Sequence, residues 1–107
     1  MSNANYMEDG VQAAIFPGQL FDGGLLVATP GAMDCLCEHE IDAKTLLQRH
    51  FSADWGVLGQ EDAQANDLAL KSGWRLLSSY PIGPACKVWI ITEADRSATT
   101  ILLPEEY

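Results

Sequence analysis

The final third of the chain is its most constraining feature. From Trp74 onward, three runs rich in β-branched and aromatic residues, "WRLLSSYPI", "KVWIITE" and "ATTILLP", follow one another. They are separated only by "GPA" and by a charged knot, Glu93-Ala94-Asp95-Arg96-Ser97. Such residues suit the pleated, half-buried surface of a strand. Connections this short cannot hold a crossover, so successive strands must pair antiparallel. The expectation is a meander closed by a C-terminal β-hairpin with the knot as its turn. Side chains alternate between faces, which places Val88, Ile90 and Thr92 on one side and Trp89, Ile91 and Glu93 on the other. Both faces are mostly apolar. One must meet helices, and the other needs cover from the N-terminal segment or from a second copy, which predicts a homodimer.

Upstream the pattern changes to helical. "AAIFPGQLFDGG" is broken by Pro17-Gly18 and Gly23-Gly24 into short extended pieces, and "LLVAT" (25–29) reads as a strand. Thr29 followed by Pro30 signals the N-cap and first turn of a helix, with Met33, Leu36 and Cys37 as its inward stripe. Asp42 caps a second helix, "AKTLLQRHF", in which Leu46, Leu47 and Phe51 face the core, Ile41 staples onto Leu46, and His50 lies at the edge of the apolar face. "EDAQANDLALKS" has acids in its first turn, Lys71 in its last and Gly73 just beyond, the polarity that suits a helix dipole. Asn66 and Asp67 on this third helix are expected to face solvent. The fold class is therefore α+β: an antiparallel sheet of three or more strands with two or three helices packed on one face.

A chain of 107 residues, 48% of them hydrophobic, holds one core and not two. Residues 1–10, opening Met1-Ser2-Asn3-Ala4, read as an expression-tag remnant and are expected to be disordered, leaving 11–107 as a single domain. The net charge of −9 comes from the first two thirds of the chain. An acidic balance disfavours direct binding to nucleic acid or anionic membranes and favours a basic protein partner. No run approaches the length of a membrane span and no signal segment is recognisable, so a cytoplasmic location is expected. An odd cysteine count, Cys35, Cys37 and Cys86, fits reduced thiols. Cys35 and Cys37 would lie about 160–200° apart on a helix and cannot share a metal, so no metal site is expected.

The residues that carry chemistry fall in two places. Glu93, Asp95 and Arg96 lie within four positions, and two carboxylates on one side of a turn are what acid–base work needs. The same residues also make an ordinary solvated turn, or a tie by which Arg96 or Asp95 fastens the hairpin to a helix or another subunit. His50 with Asp54 is the second candidate, since a carboxylate can hold an imidazole tautomer. Trp55, Trp74, Tyr80 and Trp89, with Tyr107, are candidates for an interface or a ligand pocket. No phosphate loop, dinucleotide glycine pattern or zinc spacing occurs, so no cofactor is predicted.

"DWGVLGQEDAQAND", "SGWRLLSSY" and above all "VWIITEADRSATTILLPEEY" resemble a family of small uncharacterised bacterial proteins encoded on plasmids and other mobile elements, some as gene cassettes. The resemblance spans roughly residues 24–107. It implies a mobile-element setting and no reaction. The reading reached is a non-catalytic interaction or accessory protein, probed against two alternatives: a small hydrolase, or a small-ligand binder using a cleft between sheet and helices.

Overall fold

The computed structural model describes residues 16–107; the tag reading of residues 1–10 lies outside them. The chain runs β1 (Leu25–Ala28), α1 (Pro30–Glu38), α2 (Ala43–Phe51), α3 (Gln60–Ser72), β2 (Leu76–Gly83), β3 (Cys86–Thr92) and β4 (Ala98–Leu102), ending in a 3-10 turn over Pro104–Glu106. The three C-terminal strands form the expected antiparallel meander, β2 against β3 and β3 against β4. β1 then adds to β4 in parallel, giving the order β1-β4-β3-β2. The sheet is thus mixed, with three helices inserted between its first strand and its second.

Local signals set the helix ends. The Thr29 hydroxyl accepts from the Ala32 N–H at 3.1 Å, and Asp42 accepts from Lys44 N at 2.9 Å. Gly73 closes α3 in the left-handed conformation, φ 76°, which costs glycine no side-chain clash. α3 starts at Gly59 without a side-chain cap.

Sheet register fixes two distinct faces. Ile90 pairs with Ser78 and Ile101, and Thr92 with Leu76 and Thr99, so these side chains share one side. That side meets the helices: Leu36 from α1, then Leu46, Leu47 and Phe51 from α2, pack with Tyr80, Val88, Ile90 and Ile101 in the main core. A smaller cluster of Trp55, Ala69 and Leu76 lies under α3. The other side presents Leu25, Val27, Thr100, Leu102, Ile91, Leu77, Ser79 and Trp89, of which Ile91, Leu102 and Ser79 are buried and Leu25 and Val27 exposed; among the described residues the core clusters of α1, α2 and α3 lie on the opposite side.

Four expectations are corrected. The inward stripe of α1 is Ala32, Cys35 and Leu36, one residue out of step with the predicted Met33, Leu36 and Cys37; Met33 is 47% exposed and Cys37 is exposed. The same i, i+3, i+4 spacing fits both frames, so periodicity alone does not choose between them. Cys35 and Cys86 form a disulfide across 51 residues, replacing the expectation of three reduced thiols. α1 lies over β3, which brings together two cysteines that the sequence keeps far apart; closing a loop of that length stabilises a fold by about 4 kcal/mol in the chain-entropy account. His50 is fully buried and not at an edge. Asn66 is buried as well: its amide donates to Leu77 O at 2.6 Å and accepts from Leu77 N at 3.1 Å, standing in for a neighbouring strand along the β2 edge.

Candidate functional site

The buried histidine is held by hydroxyls from three strands. Ser78 Oγ lies 2.5 Å from His50 Nδ1, and Thr92 Oγ1 lies 2.9 Å from Nε2. Thr92 Oγ1 is 2.8 Å from Thr99 Oγ1, which donates to Gly23 O at 2.8 Å. The carbonyl at the end can only accept, and this orders the protons as far as the ring: Thr99 donates to Gly23, Thr92 to Thr99, and His50 through Nε2–H to Thr92. Burial first, and then the positive charge of Arg96, brings the His50 pKa down to about 3, which keeps the ring neutral, and a neutral Nδ1 accepts from Ser78.

A hydroxyl on a neutral imidazole has the elements of a nucleophile and its base. Here Ser78, His50, Thr92 and Thr99 are all shut off from solvent, and Phe21, Phe51 and Trp55 rings surround the imidazole at 5.3–5.7 Å. A substrate has no approach to it in this conformation. The arrangement is a satisfied polar seam through the core, joining α2 to β2, β3 and β4 and to the segment before β1. Its members Ser78, Thr92 and Thr99 had no signal in sequence beyond their inward strand phase.

His50 and Asp54 do not come together. Asp54 instead takes a two-pronged hydrogen bond from Arg49, at 2.8 and 3.3 Å, and accepts from Gly56 N at 3.3 Å. The Arg49 bond is the main cause of its lowered pKa. Arg49 also lies over the Tyr80 ring, 4.5 Å from its centroid, while the Tyr80 hydroxyl donates to Asp54 O at 2.6 Å. Burial raises Tyr80 to about 12. This cluster fastens residues 54–57 beside β2, where Ser79 N donates to Trp55 O and Val57 N to Ser79 O. Gly56 must be glycine there: a Cβ would stand 2.0 Å from Ser79 O, and φ is 77°.

The charged knot is a turn that doubles as a tie. Asp95 accepts from Ser97 N at 2.9 Å, and hydrogen bonds from Ser97 hold its carboxyl below the usual range. Glu93 is exposed. Arg96, at φ 62°, turns its guanidinium inward and donates to four carbonyls: Trp74 at 2.8 Å, Glu93 at 3.1 Å, Ala94 at 3.2 Å and Ala69 at 3.3 Å. Ala69 O belongs to the last turn of α3, so Arg96 caps that helix with positive charge at its negative end. The three charged residues therefore do not converge on a common point: Arg96 is fully engaged with backbone.

The aromatic candidates divide evenly. Trp55, 7% exposed, donates to Asp67 at 3.3 Å, and Tyr80 is fully buried; both are core. Trp74, 58% exposed, and Trp89 are at the surface. Trp89 meets Tyr107 edge-on at 5.9 Å, and Arg75 lies over the other end of the same tyrosine at 5.2 Å. On the same face Ile91 is 5% exposed and Leu102 6% exposed.

Charge gathers on the helical layer. Asp34, Glu38, Glu40, Asp42, Asp54, Glu61, Asp62 and Asp67 are all exposed, against Lys44, Arg49 and Lys71. Arg49–Asp54 is the ion pair among the described residues. Also among these residues, no three His, Cys, Asp or Glu side chains gather as for a metal, and no helix is long and apolar enough to cross a membrane. No family model, curated protein or solved structure matches the chain.

Proposed function

We propose that this chain is a non-catalytic interaction protein whose acidic helical layer engages a basic protein partner, in the setting of a mobile genetic element. The observation that carries the reading is the row of exposed carboxylates along α1, the α1–α2 and α2–α3 connections and α3, of which Asp54 alone has an ion-pair partner among the described residues. Unpaired surface acids of one sign attract and orient a basic partner and repel nucleic acid directly. The alternative of a hydrolase finds less support, because Arg96 is taken up by carbonyls and His50 by a closed core. The mobile-element setting rests on the resemblance of the C-terminal block.

The test is co-purification of the full chain from a bacterial host at low salt, with the retained proteins identified by mass. A basic protein that is lost on Glu61→Lys with Asp62→Lys, and on raising salt, supports the proposal. Retention of no basic protein at low salt overturns it. A cytoplasmic location belongs to the same proposal, yet disulfides are rare in that compartment. Alkylation in intact cells decides the point: free Cys35 and Cys86 thiols support it, and an oxidised pair indicates an oxidising compartment.

A further inference from the structure

Cys35, Cys86 and His39 meet where the C-terminal end of α1 crosses the β2–β3 hairpin, apart from the buried seam and from the Arg96 tie. Two clasps join these elements. One is covalent, the bond between Cys35 of α1 and Cys86 at the start of β3. The other is the His39 ring. Its Nδ1 donates to Cys35 O at 2.9 Å, and its other nitrogen lies against Gly83, where a Cβ would stand 2.5 Å from Nε2. Gly83 is the strand partner of Cys86, so both clasps close on the same rung of the hairpin. The two sulfur-bearing residues differ in access: Cys35 is 5% exposed, whereas Cys86 is half-buried. Packing beneath α1 does not depend on the bond alone, since Ala32 and Leu36 join the main core with Tyr80, Val88 and Ile90.

We infer that Cys86 is a thiol-exchange site for small thiols of the glutathione class, and that the Cys35–Cys86 bond is a reversible clasp on α1. A small thiolate attacks Cys86 Sγ, the more accessible sulfur; a mixed disulfide forms there as the Cys35–Cys86 bond breaks, and Cys35 leaves as a thiolate that takes up a proton. A second small thiolate attacks the small molecule's own sulfur in the mixed disulfide and frees the Cys86 thiolate. Two small thiols are thereby oxidised to their disulfide while the protein pair gains two electrons and two protons, and the same steps run backwards to close it. A reversible clasp needs a chain that folds in both states. With the bond open, α1 keeps its Thr29 cap, its core residues Ala32 and Leu36, and the His39 clasp. His39 then holds Cys35 close to Cys86 and raises their effective concentration for closure. Cys37, free and exposed, stands about 200° around α1 from Cys35 and takes no part. Opening loosens the end of α1 that carries Glu38, but the inference stands or falls without the acidic-layer reading.

Exchange of the full chain with glutathione, quenched in acid and read by mass, tests it. Reduced glutathione is expected to open the bond in the folded protein, at a rate that sub-denaturing urea changes by less than about twofold. The reduced chain keeps its far-UV circular dichroism and a cooperative thermal transition, with amide exchange faster by about tenfold or more only in α1 and the β2–β3 turn. With Cys37→Ser in place, Cys35→Ser takes up glutathione from its disulfide at Cys86, and Cys86→Ser takes it up at Cys35 about tenfold or more slowly, because that thiol is buried. His39→Ala lowers by about fivefold the reduced glutathione needed to open half of the chains. A reduction rate that climbs with urea in step with global unfolding overturns the inference, because the bond then opens only in the unfolded chain. Cys35 reacting as fast as Cys86 overturns it, and so does a reduced chain that has lost its fold. Indifference to His39→Ala overturns the second clasp.

Discussion

The two faces of the sheet treat polar groups differently. Against the helix-covered face, inside the apolar core, His50 of α2 and Ser78, Thr92 and Thr99 of the sheet have no solvent contact, while the opposite face holds Leu25 and Val27 of β1 in water. Burial of polar groups is tolerated because each donor finds an acceptor, in a line that ends on a backbone carbonyl. Exposure of apolar groups costs the isolated chain little, but leaves surface available for association. Polarity by itself did not locate function here: the most reactive-looking group is structural, and the opposite sheet face leaves apolar side chains in water only at its β1 end, Leu25 and Val27.

His50→Ala breaks the comparison most severely. It empties a ring-sized space and strands the Ser78 and Thr92 hydroxyls, so a loss of about 4 kcal/mol is expected in urea unfolding, enough to leave the chain partly unfolded. A cost below about 1 kcal/mol would show that the seam carries little of the fold.

Acid gives the next largest effect, and its sign follows from the seam. His50 titrates near 6.5 when unfolded and near 3 when folded, so the unfolded chain binds the extra proton first. The stabilisation is fully present above about pH 6.5 and falls as pH drops from there toward 3, with about 2 kcal/mol gone at pH 5. Unfolding free energies at pH 7 and pH 5 measure it. His50→Gln, which titrates nowhere in this window, should flatten the profile.

Arg96→Ala removes the tie between the turn and α3. About 1–2 kcal/mol is expected from the lost hydrogen bonds, with faster amide exchange confined to the end of α3. Exchange unchanged there would mean that Arg96 merely decorates the turn. At the β1 end of the opposite face, Leu25→Lys should shift monomer stability by less than about 0.5 kcal/mol in thermal melts of dilute protein. A larger loss would reveal that end to be part of the core.

Much of the fold was legible from local pattern. Thr29 and Asp42 as N-caps, Gly73 past the end of α3, the α2 face of Leu46, Leu47 and Phe51, and the three-strand meander all depend on interactions within a few residues. The candidate sites were much less legible. Periodicity put His50 beside an apolar face, but three hydroxyls supplied by separate strands decided that it lies inside. Asn66 on a weakly amphipathic helix gave no hint that its amide would serve the edge of β2. Arg96 was readable as a turn residue, and the option of a tie to a helix was readable with it. The carbonyls of Trp74 and Ala69 that it reaches lie more than twenty residues away.

By itself, then, the sequence determined where helices and strands begin and end, which strand side chains share a face, and that the charge is acidic and concentrated upstream of Trp74. These are properties of neighbours along the chain. Only the tertiary structure decided that β1 joins β4 in parallel, that Cys35 meets Cys86, and that His50 is neutral and enclosed. Each of these joins residues separated by tens of positions, and such contacts depend on which surfaces bury together once the elements exist.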